Sequence, residues 1–429
     1  MSQRIRIHGG RVIDPANQVD TRQDVYLADG RIVGLGHPPE GFAADLEIAA
    51  EGQLVCPGFI DLSARLREPG DEHKSTIASE SRAAAAGGIT TVCMPPDTCP
   101  IIDTPAVVQL IQDKAALAGQ LRIQPIGALT RGLKGQDLSE MSALKEVGCR
   151  AVSNATAPVA NTLVLRRALE YAASHDLLVI VRPEDRDLAD QGCAHEGPIA
   201  TRMGLRGIPY AAETVAVAQV LALIEHTGAR VHFAQLSSAR ALRSIARARE
   251  KGLPVTADVA IHQLHLTDEA IKDFDANTHL RPPLREASDR DALRDGLRDG
   301  VITALCSDHQ PHEPDAKLDA FPATEPGIAT LQTLLPLTLA LVEAGTLTLN
   351  QALAALTSGP AAILGLQSGS LSVGNVADLC IFHPEQPWTL NGDTWLSEGR
   401  NTPYWGQTMK GRVTQTFLGG VRVFELNAR

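Results

Sequence analysis

The sequence has few aromatic residues and no apolar run long enough to cross a membrane. Aromatic residues make up 3% of the 429 positions, so the core must consist mainly of alanine, leucine, valine and isoleucine. The longest apolar stretches, such as residues 334–342, are far shorter than the roughly 20 residues that span a bilayer. The N-terminal residues alternate like a strand and contain no apolar signal segment. These absences predict a cytoplasmic protein without a membrane partner.

The sequence also lacks the features of a disulfide framework, a zinc knuckle or a nucleic-acid partner. Its seven cysteines stand singly, with no Cys-x-x-Cys pair and an odd total, so we expect reduced and mostly buried thiols. The 39 basic and 50 acidic residues give a net charge of −11, and no block of like charge occurs. A nucleic acid or an anionic membrane would need a basic stripe.

Two kinds of local pattern divide the chain. Short strand-like segments separated by turns occupy both ends, whereas strand-like runs alternate with helical segments rich in alanine and leucine in the middle. Alternation of this kind is typical of a parallel β/α architecture. The length of the middle part predicts a TIM-type (β/α)8 barrel over residues 53–365. Residues 1–52 and 366–429 are predicted to form one small composite β-sandwich domain, because chain termini often lie close together.

Seven short motifs follow one another along the chain. Residues 56–70 read Cys-Pro-Gly-Phe-Ile-Asp-Leu-Ser-Ala-Arg-Leu-Arg-Glu-Pro-Gly. The other motifs are residues 86–95, 132–135, 138–141, 282–285, 307–312 and 400–404. The ordered set resembles the dihydroorotase family of cyclic amidohydrolases over nearly the whole chain. The resemblance implies an amidohydrolase barrel.

The positions that carry metal ligands in that family carry other residues here. The family has a His-x-His pair after Pro-Gly-Phe-Ile-Asp, then a carboxylate or carboxylated lysine, and then two further histidines. The matching positions in this chain are Ser63, Arg65, Asn154, Arg182 and Gln235. Serine is a poor ligand and arginine has no lone pair to offer. A guanidinium ~4 Å from a divalent ion would cost about 8 kcal/mol at an effective dielectric of ~20, so the resemblance implies a chain without metal or other cofactor.

Three family positions at the site are retained. Asp308 matches the general base, but without an ion that lowers the pKa of water from 15.7 toward about 7 it has nothing nucleophilic to deprotonate. We therefore expect a vestigial position and no catalytic residue. Arg67 and His312 match substrate-contacting positions. Arg67 either binds an anion or is held in an ion pair by Glu68 or another acidic neighbour.

The remaining histidines offer no obvious replacement metal site. His262 with His265, and His309 with His312, have usable spacing, but neither pair has a third ligand nearby in sequence. His232 lies three residues before Gln235, on the opposite face of a strand. We expect these histidines to be structural.

Some members of the dihydroorotase family are non-catalytic and assemble, in some bacteria, with aspartate transcarbamoylase. The resemblance therefore implies a pseudo-dihydroorotase that acts as a structural subunit in pyrimidine biosynthesis. Its partner would be the aspartate transcarbamoylase catalytic chain, in a hetero-oligomer. Two alternatives stay open. One is an active metal-dependent amidohydrolase that converts dihydroorotate to carbamoyl aspartate with a divergent site. The other is a metal-free sensor that holds an anionic metabolite with Arg67, Arg182 and Arg281.

Overall fold

The strands fall into three groups along the chain in a computed structural model that describes residues 3–426. The N-terminal strands are β1 (Ile5–His8), β2 (Arg11–Asp14), β3 (Val19–Arg22), β4 (Val25–Ala28), β5 (Arg31–Leu35), β6 (Leu46–Ala49) and β7 (Leu54–Pro57). The middle strands are β8 (Phe59–Asp61), β9 (Ile89–Met94), β10 (Arg122–Pro125), β11 (Gly127–Ala128), β12 (Ala151–Ser153), β13 (Leu178–Val181), β14 (Ala194–His195), β15 (Gly207–Ile208), β16 (Val231–Phe233), β17 (Val255–Ala260) and β18 (Ala304–Cys306). The C-terminal strands are β19 (Leu379–Thr389), β20 (Thr408–Leu418) and β21 (Val421–Glu425).

All of the middle strands except β14 and β15, which form a small sheet of their own, build a closed parallel barrel. Strands β8, β9 and β10 pair in order, and β11, β12, β13, β16, β17 and β18 continue the series. The two ends meet just beyond β8 and β18, where Ala64 and His309 form a parallel bridge. Two hydrogen bonds close the contact, from Arg65 N to His309 O at 2.9 Å and from His309 N to Ser63 O at 3.2 Å. The predicted TIM-type barrel is confirmed, and the carboxyl ends of its strands converge at one mouth.

Helices connect most of the barrel strands. They are α1 (Ile77–Ala86), α2 (Pro105–Ala118), α3 (Met141–Glu146), α4 (Thr162–Ser174), α5 (Arg186–Ala189), α6 (Pro198–Met203), α7 (Tyr210–Thr227), α8 (Ala239–Glu250), α9 (Ala287–Arg298), α10 (Leu334–Glu343), α11 (Leu349–Ala354) and α12 (Ser358–Leu364). Helix α8 shows why such segments pack on the barrel. It buries Leu242 and Ile245 on one face, and the Ser238 side chain caps its first turn. No helix within residues 3–426 is long and apolar enough to cross a membrane.

Strands from both ends of the chain share one sheet beside the barrel. Its strand order is β21-β20-β19-β7-β2-β3, and a second sheet has the order β5-β4-β1-β6. Side chains from both sheets, among them Ile7, Ile32, Ile381 and Phe417, belong to one buried cluster. Strand β7 pairs with β2 and β19, so this sheet extends past the predicted boundary at residue 53. The outermost predicted residues, 1–2 and 427–429, lie outside the described part of the chain.

Candidate functional site

Four of the five substituted ligand positions meet at the barrel mouth. Ser63 and Arg65 follow β8, Arg182 follows β13 and Gln235 follows β16. These four side chains line one cavity, which we name the mouth chamber, together with apolar residues of the barrel interior. Asp308, which follows β18, contacts Gln235 directly. The sequence-predicted site is therefore assembled in space, with Asn154 as the exception.

The guanidinium of Arg65 is held by two carboxylates. Its Nε donates to Asp97 Oδ2 at 2.9 Å, and its Nη1 lies 3.7 Å from Asp308 Oδ1. Burial by itself lowers the pKa of Arg65, but the charges of Asp97 and Asp308 outweigh burial and raise it above its ordinary value. Arg65 therefore stays cationic at the mouth. Nothing in the local sequence indicated the pairing of Asp97 with Arg65, because the two residues lie 32 positions apart.

Gln235 acts as a hydrogen-bond donor toward the mouth. Its Nε2 donates to Ser63 Oγ at 2.8 Å and to Asp308 Oδ1 at 2.8 Å. Gln310 Nε2 donates to the same Asp308 oxygen at 3.1 Å. The backbones of Gln235 and Asp308 have φ values of 57° and 47°, a region that costs a non-glycine residue roughly 1 kcal/mol or more. The surrounding barrel keeps both residues in this conformation, so their side chains remain directed at each other.

Asp308 has a raised pKa that makes stability depend on pH. Burial raises the pKa of this carboxyl to about 6, and Arg65 and Arg182 oppose the rise. The folded protein thus binds the proton more tightly than an unfolded aspartate, whose pKa is about 3.9. The resulting stability is fully present below about pH 4 and is lost as the pH rises through about 6.

We expect the Asp308→Asn variant to lose this pH dependence. Between pH 4 and pH 8, its free energy of unfolding should fall by about 2–3 kcal/mol less than that of the wild type. Urea unfolding of both proteins across that range measures the difference. Asp61, whose pKa burial also raises to about 6, leaves a residual slope in both proteins. Glu140, whose side chain is 64% exposed, provides a matched control, and we expect the Glu140→Gln variant to keep the wild-type slope. An unchanged slope in Asp308→Asn would show that Asp308 is not the titrating group.

Arg182 and Arg281 share one carboxylate. Glu184 accepts hydrogen bonds from Arg182 Nη2 at 3.2 Å and from Arg281 Nη2 at 2.6 Å. Burial opposes ionisation of Glu184, but the two arginines outweigh it and lower the pKa of Glu184. Two of the three arginines assigned to an anionic metabolite therefore already share one carboxylate, which offsets one of their two positive charges. Sequence reasoning missed this role of Glu184, although Glu184 lies only two positions after Arg182.

Asn154 does not line the mouth chamber, although it lies with Arg182 on a neighbouring cavity. Its Oδ1 accepts hydrogen bonds from Thr130 N at 3.2 Å and from Thr130 Oγ1 at 2.7 Å. Its Nδ2 donates to Leu133 O at 3.3 Å and to Ala157 O at 2.7 Å. The amide is fully occupied by the loops around it, so it serves to position them.

Arg67 and His312, which match substrate-contacting positions of the family, are in direct contact with each other. Arg67 Nη2 is 3.1 Å from His312 Nε2, and Arg67 Nε donates to Pro311 O at 3.0 Å. Burial and repulsion from Arg65 lower the pKa of Arg67 to about 10. Of the alternatives left open for Arg67, the ion pair with Glu68 is not formed, because Glu68 accepts from Lys114 Nζ at 2.5 Å and caps the first turn of α1.

Three of the histidines considered above make side-chain contacts with polar partners, among them His265, whose Nε2 lies 2.9 Å from Leu337 O, whereas the buried Nδ1 of His262 has no hydrogen-bond partner in the described part of the chain. His232 lies 2.8 Å from Thr256 Oγ1 and 2.8 Å from Asp258 Oδ2. His309 Nε2 lies 2.9 Å from Glu80 Oε2 and is fully buried. Within residues 3–426, no group of three or more histidine, cysteine, aspartate or glutamate side chains is arranged to hold a metal ion.

The mouth residues do not fit a divalent metal. Zinc and similar ions need imidazole, carboxylate or thiolate lone pairs. The chamber is instead lined by two arginines, a serine and a glutamine whose NH₂ is bound to Ser63 and Asp308. Its volume is about 30 Å³, which is room for about two water molecules. Cationic side chains therefore fill the place where a metal and its substrate would need to lie.

Comparison with known proteins agrees with the fold and with the motifs. The chain matches the dihydro-orotase-like family over residues 52–241 and the amidohydrolase family over residues 200–424. A dihydroorotase-like protein of Pseudomonas aeruginosa is 51% identical over 416 residues, covering 97% of this chain and 98% of that protein. A dihydroorotase of Syntrophotalea carbinolica is 45% identical over 425 residues, covering 99% of this chain and 100% of that protein.

Among solved structures, the L-hydantoinase (dihydropyrimidinase) of Arthrobacter aurescens shares the fold. Its TM-score is 0.87 at 22% identity, over 99% of this chain and 96% of that chain. A D-hydantoinase structure has a TM-score of 0.83 at 23% identity, over 98% of this chain and 95% of that chain. The sequence matches, the ordered motifs and the closed barrel agree with one another, and this chain belongs to the dihydroorotase-like family of amidohydrolases.

Proposed function

We propose that this chain is a catalytically inactive dihydroorotase homologue that acts as a structural, non-catalytic subunit of an aspartate transcarbamoylase complex in pyrimidine biosynthesis. The observation that carries the proposal is the guanidinium of Arg65. It is buried at the barrel mouth, donates to Asp97 and lies 3.7 Å from Asp308. A cation of the protein thus stands beside the one carboxylate that the family uses for proton transfer.

Amide hydrolysis also needs an activated water molecule and room for the substrate, and two features of the mouth argue against both. Hydrolysis needs a water molecule that a general base can deprotonate near neutral pH. Asp308 instead accepts hydrogen bonds from Gln235 and Gln310. The mouth chamber has about 30 Å³, whereas small-molecule sites have roughly 300 Å³ or more. Both observations support a mouth that does not open the dihydroorotate ring.

The barrel frame is retained while the site chemistry is lost, which favours a role for the outer surface. The fully buried His309 still joins Glu80 next to the barrel closure, and Gln235 and Asp308 keep a costly backbone conformation. A fold that is kept in such detail without its metal ligands is suited to act as a scaffold. The identity of the partner, the aspartate transcarbamoylase catalytic chain, rests on the family resemblance.

Co-purification tests the partner and the cofactor together. The two chains are co-expressed, purified without chelators and analysed for zinc, for transcarbamoylase activity and for ring opening of dihydroorotate. We expect a stable complex, substoichiometric zinc, no ring opening, and loss of transcarbamoylase activity or stability when this chain is left out. Full activity of the isolated transcarbamoylase, with no complex formed, would refute the structural role.

An active, divergent amidohydrolase is the second candidate. It is favoured by the relative named dihydroorotase that is 45% identical over 99% of this chain. The same purified protein separates the candidates. Stoichiometric zinc and ring opening of dihydroorotate that is abolished in Asp308→Asn would establish this second candidate and exclude the first.

A further inference from the structure

Two guanidinium nitrogens at the barrel mouth are buried and have no hydrogen-bond partner. They are Arg65 Nη1 and Arg182 Nε. The Arg65 side chain is 9% exposed and the Arg182 side chain 8%. A buried N–H without an acceptor costs about 1–3 kcal/mol, so this arrangement calls for an acceptor that the protein does not supply.

Both unpartnered nitrogens belong to residues that line the mouth chamber. Ser63 and Gln235 also line it, and Gln235 Nε2 already donates to Ser63 Oγ. The serine hydroxyl hydrogen is therefore free to donate toward a third group. The chamber thus presents donors from three side chains, and an occupant must accept hydrogen bonds from them.

The guanidinium groups nearest the chamber repel one another. Arg65 and Arg182 line the chamber, and Arg281 shares the carboxylate of Glu184 with Arg182. Burial together with repulsion from Arg281 and Arg65 outweighs Glu184 and lowers the pKa of Arg182. An anion in the chamber would relieve that repulsion.

The size of the chamber selects among anions. About 30 Å³ accommodates a monatomic anion or about two water molecules. Dihydroorotate, carbamoyl aspartate and sulfate are all larger than this space. We propose that the mouth chamber binds one small monovalent anion of the halide class, between Arg65 Nη1 and Arg182 Nε. The family's cation site has thereby become an anion site in this chain.

Bromide, which scatters X-rays anomalously, is the direct probe. Crystals of the full chain grown in sodium bromide should show an anomalous peak between Arg65 and Arg182. In solution, sodium chloride or bromide should raise Tm by about 1–2 °C along a curve that saturates, whereas sulfate, which acts by exclusion from the surface, should raise Tm without saturating. An empty chamber in the bromide crystals, or a halide curve that does not saturate, would show that only water occupies it.

Two arginine variants separate a specific site from general positive charge. Arg182→Met and Arg281→Met each remove one guanidinium that is bound to Glu184, but only Arg182 lines the chamber. We expect about tenfold or greater loss of halide affinity in Arg182→Met, with saturable stabilisation retained in Arg281→Met. Equal losses in both variants would overturn the site. If Arg182→Met does not fold, the presence or absence of the bromide peak in the wild-type crystal decides by itself whether the chamber binds a halide. The result is independent of the transcarbamoylase experiment, which reads out complex formation.

Discussion

Replacement of Arg65 by methionine is expected to lower the free energy of unfolding by about 3–5 kcal/mol. The variant keeps most of the side-chain volume but leaves the buried carboxylate of Asp308 without its nearest cation. It also leaves Asp97 without the donor that lies at 2.9 Å. Breaking a buried ion pair by removing one partner costs more than the net contribution of the pair, because the remaining charge stays desolvated. Urea unfolding monitored by circular dichroism measures the loss.

A double-mutant cycle shows whether this loss arises from the pair. Arg65→Met combined with Asp97→Asn should lose less than the sum of the two single variants, because the second change removes the unpaired charge. Arg131→Met is the matched control. Arg131 pairs with Glu140, but their side chains are 61% and 64% exposed, so we expect a change of about 0–1 kcal/mol. A loss in Arg65→Met no larger than in Arg131→Met would contradict an electrostatic role for Arg65.

Replacement of Glu184 by glutamine is expected to cost about 3 kcal/mol. Glu184 is the carboxylate shared by Arg182 and Arg281, and its side chain is 9% exposed. Without its charge, two guanidinium groups repel each other at the mouth. Glu140→Gln, which removes an exposed carboxylate of the same type, should change stability by less than about 1 kcal/mol.

The same variant should alter the acid limb of the stability profile. The pKa of Glu184 is lowered in the folded protein, so its contribution is present above the ordinary glutamate pKa of about 4.3. That contribution is lost as the pH falls through the lower, folded pKa. Glu184→Gln should therefore be destabilised most near neutral pH and approach the wild type in acid. A penalty that is independent of pH would indicate a packing defect in place of a lost charge.

Local patterns predicted the barrel correctly because they depend on residues close together in the chain. Strand-like and helical segments can be recognised from a few consecutive residues, and their alternation leaves few topologies open. The substituted ligand positions were equally readable, since each follows a recognisable motif. Ser63 and Arg65, for example, follow β8 directly and line the chamber at the barrel mouth.

Contacts between distant parts of the chain were not predictable in this way. Gln235 joins Ser63 and Asp308 from 172 and 73 positions away. Arg65 donates a hydrogen bond to Asp97, which lies 32 positions away in the sequence. Asn154 lies at a predicted site position, yet its side-chain amide is hydrogen-bonded to Thr130 in a neighbouring loop. Side-chain direction in each case depends on how loops from different strands pack.

From its residue types alone, this chain specified a barrel of the dihydroorotase family whose ligand positions carry serine, arginine, asparagine and glutamine. Residue chemistry is local: a guanidinium offers no lone pair to a metal wherever it lies. Only the tertiary structure decided which charges face each other, with Arg65 beside Asp97 and Asp308, and Arg182 beside Glu184. Electrostatic energy depends on distance and burial, and both are set where separate strands of the barrel converge.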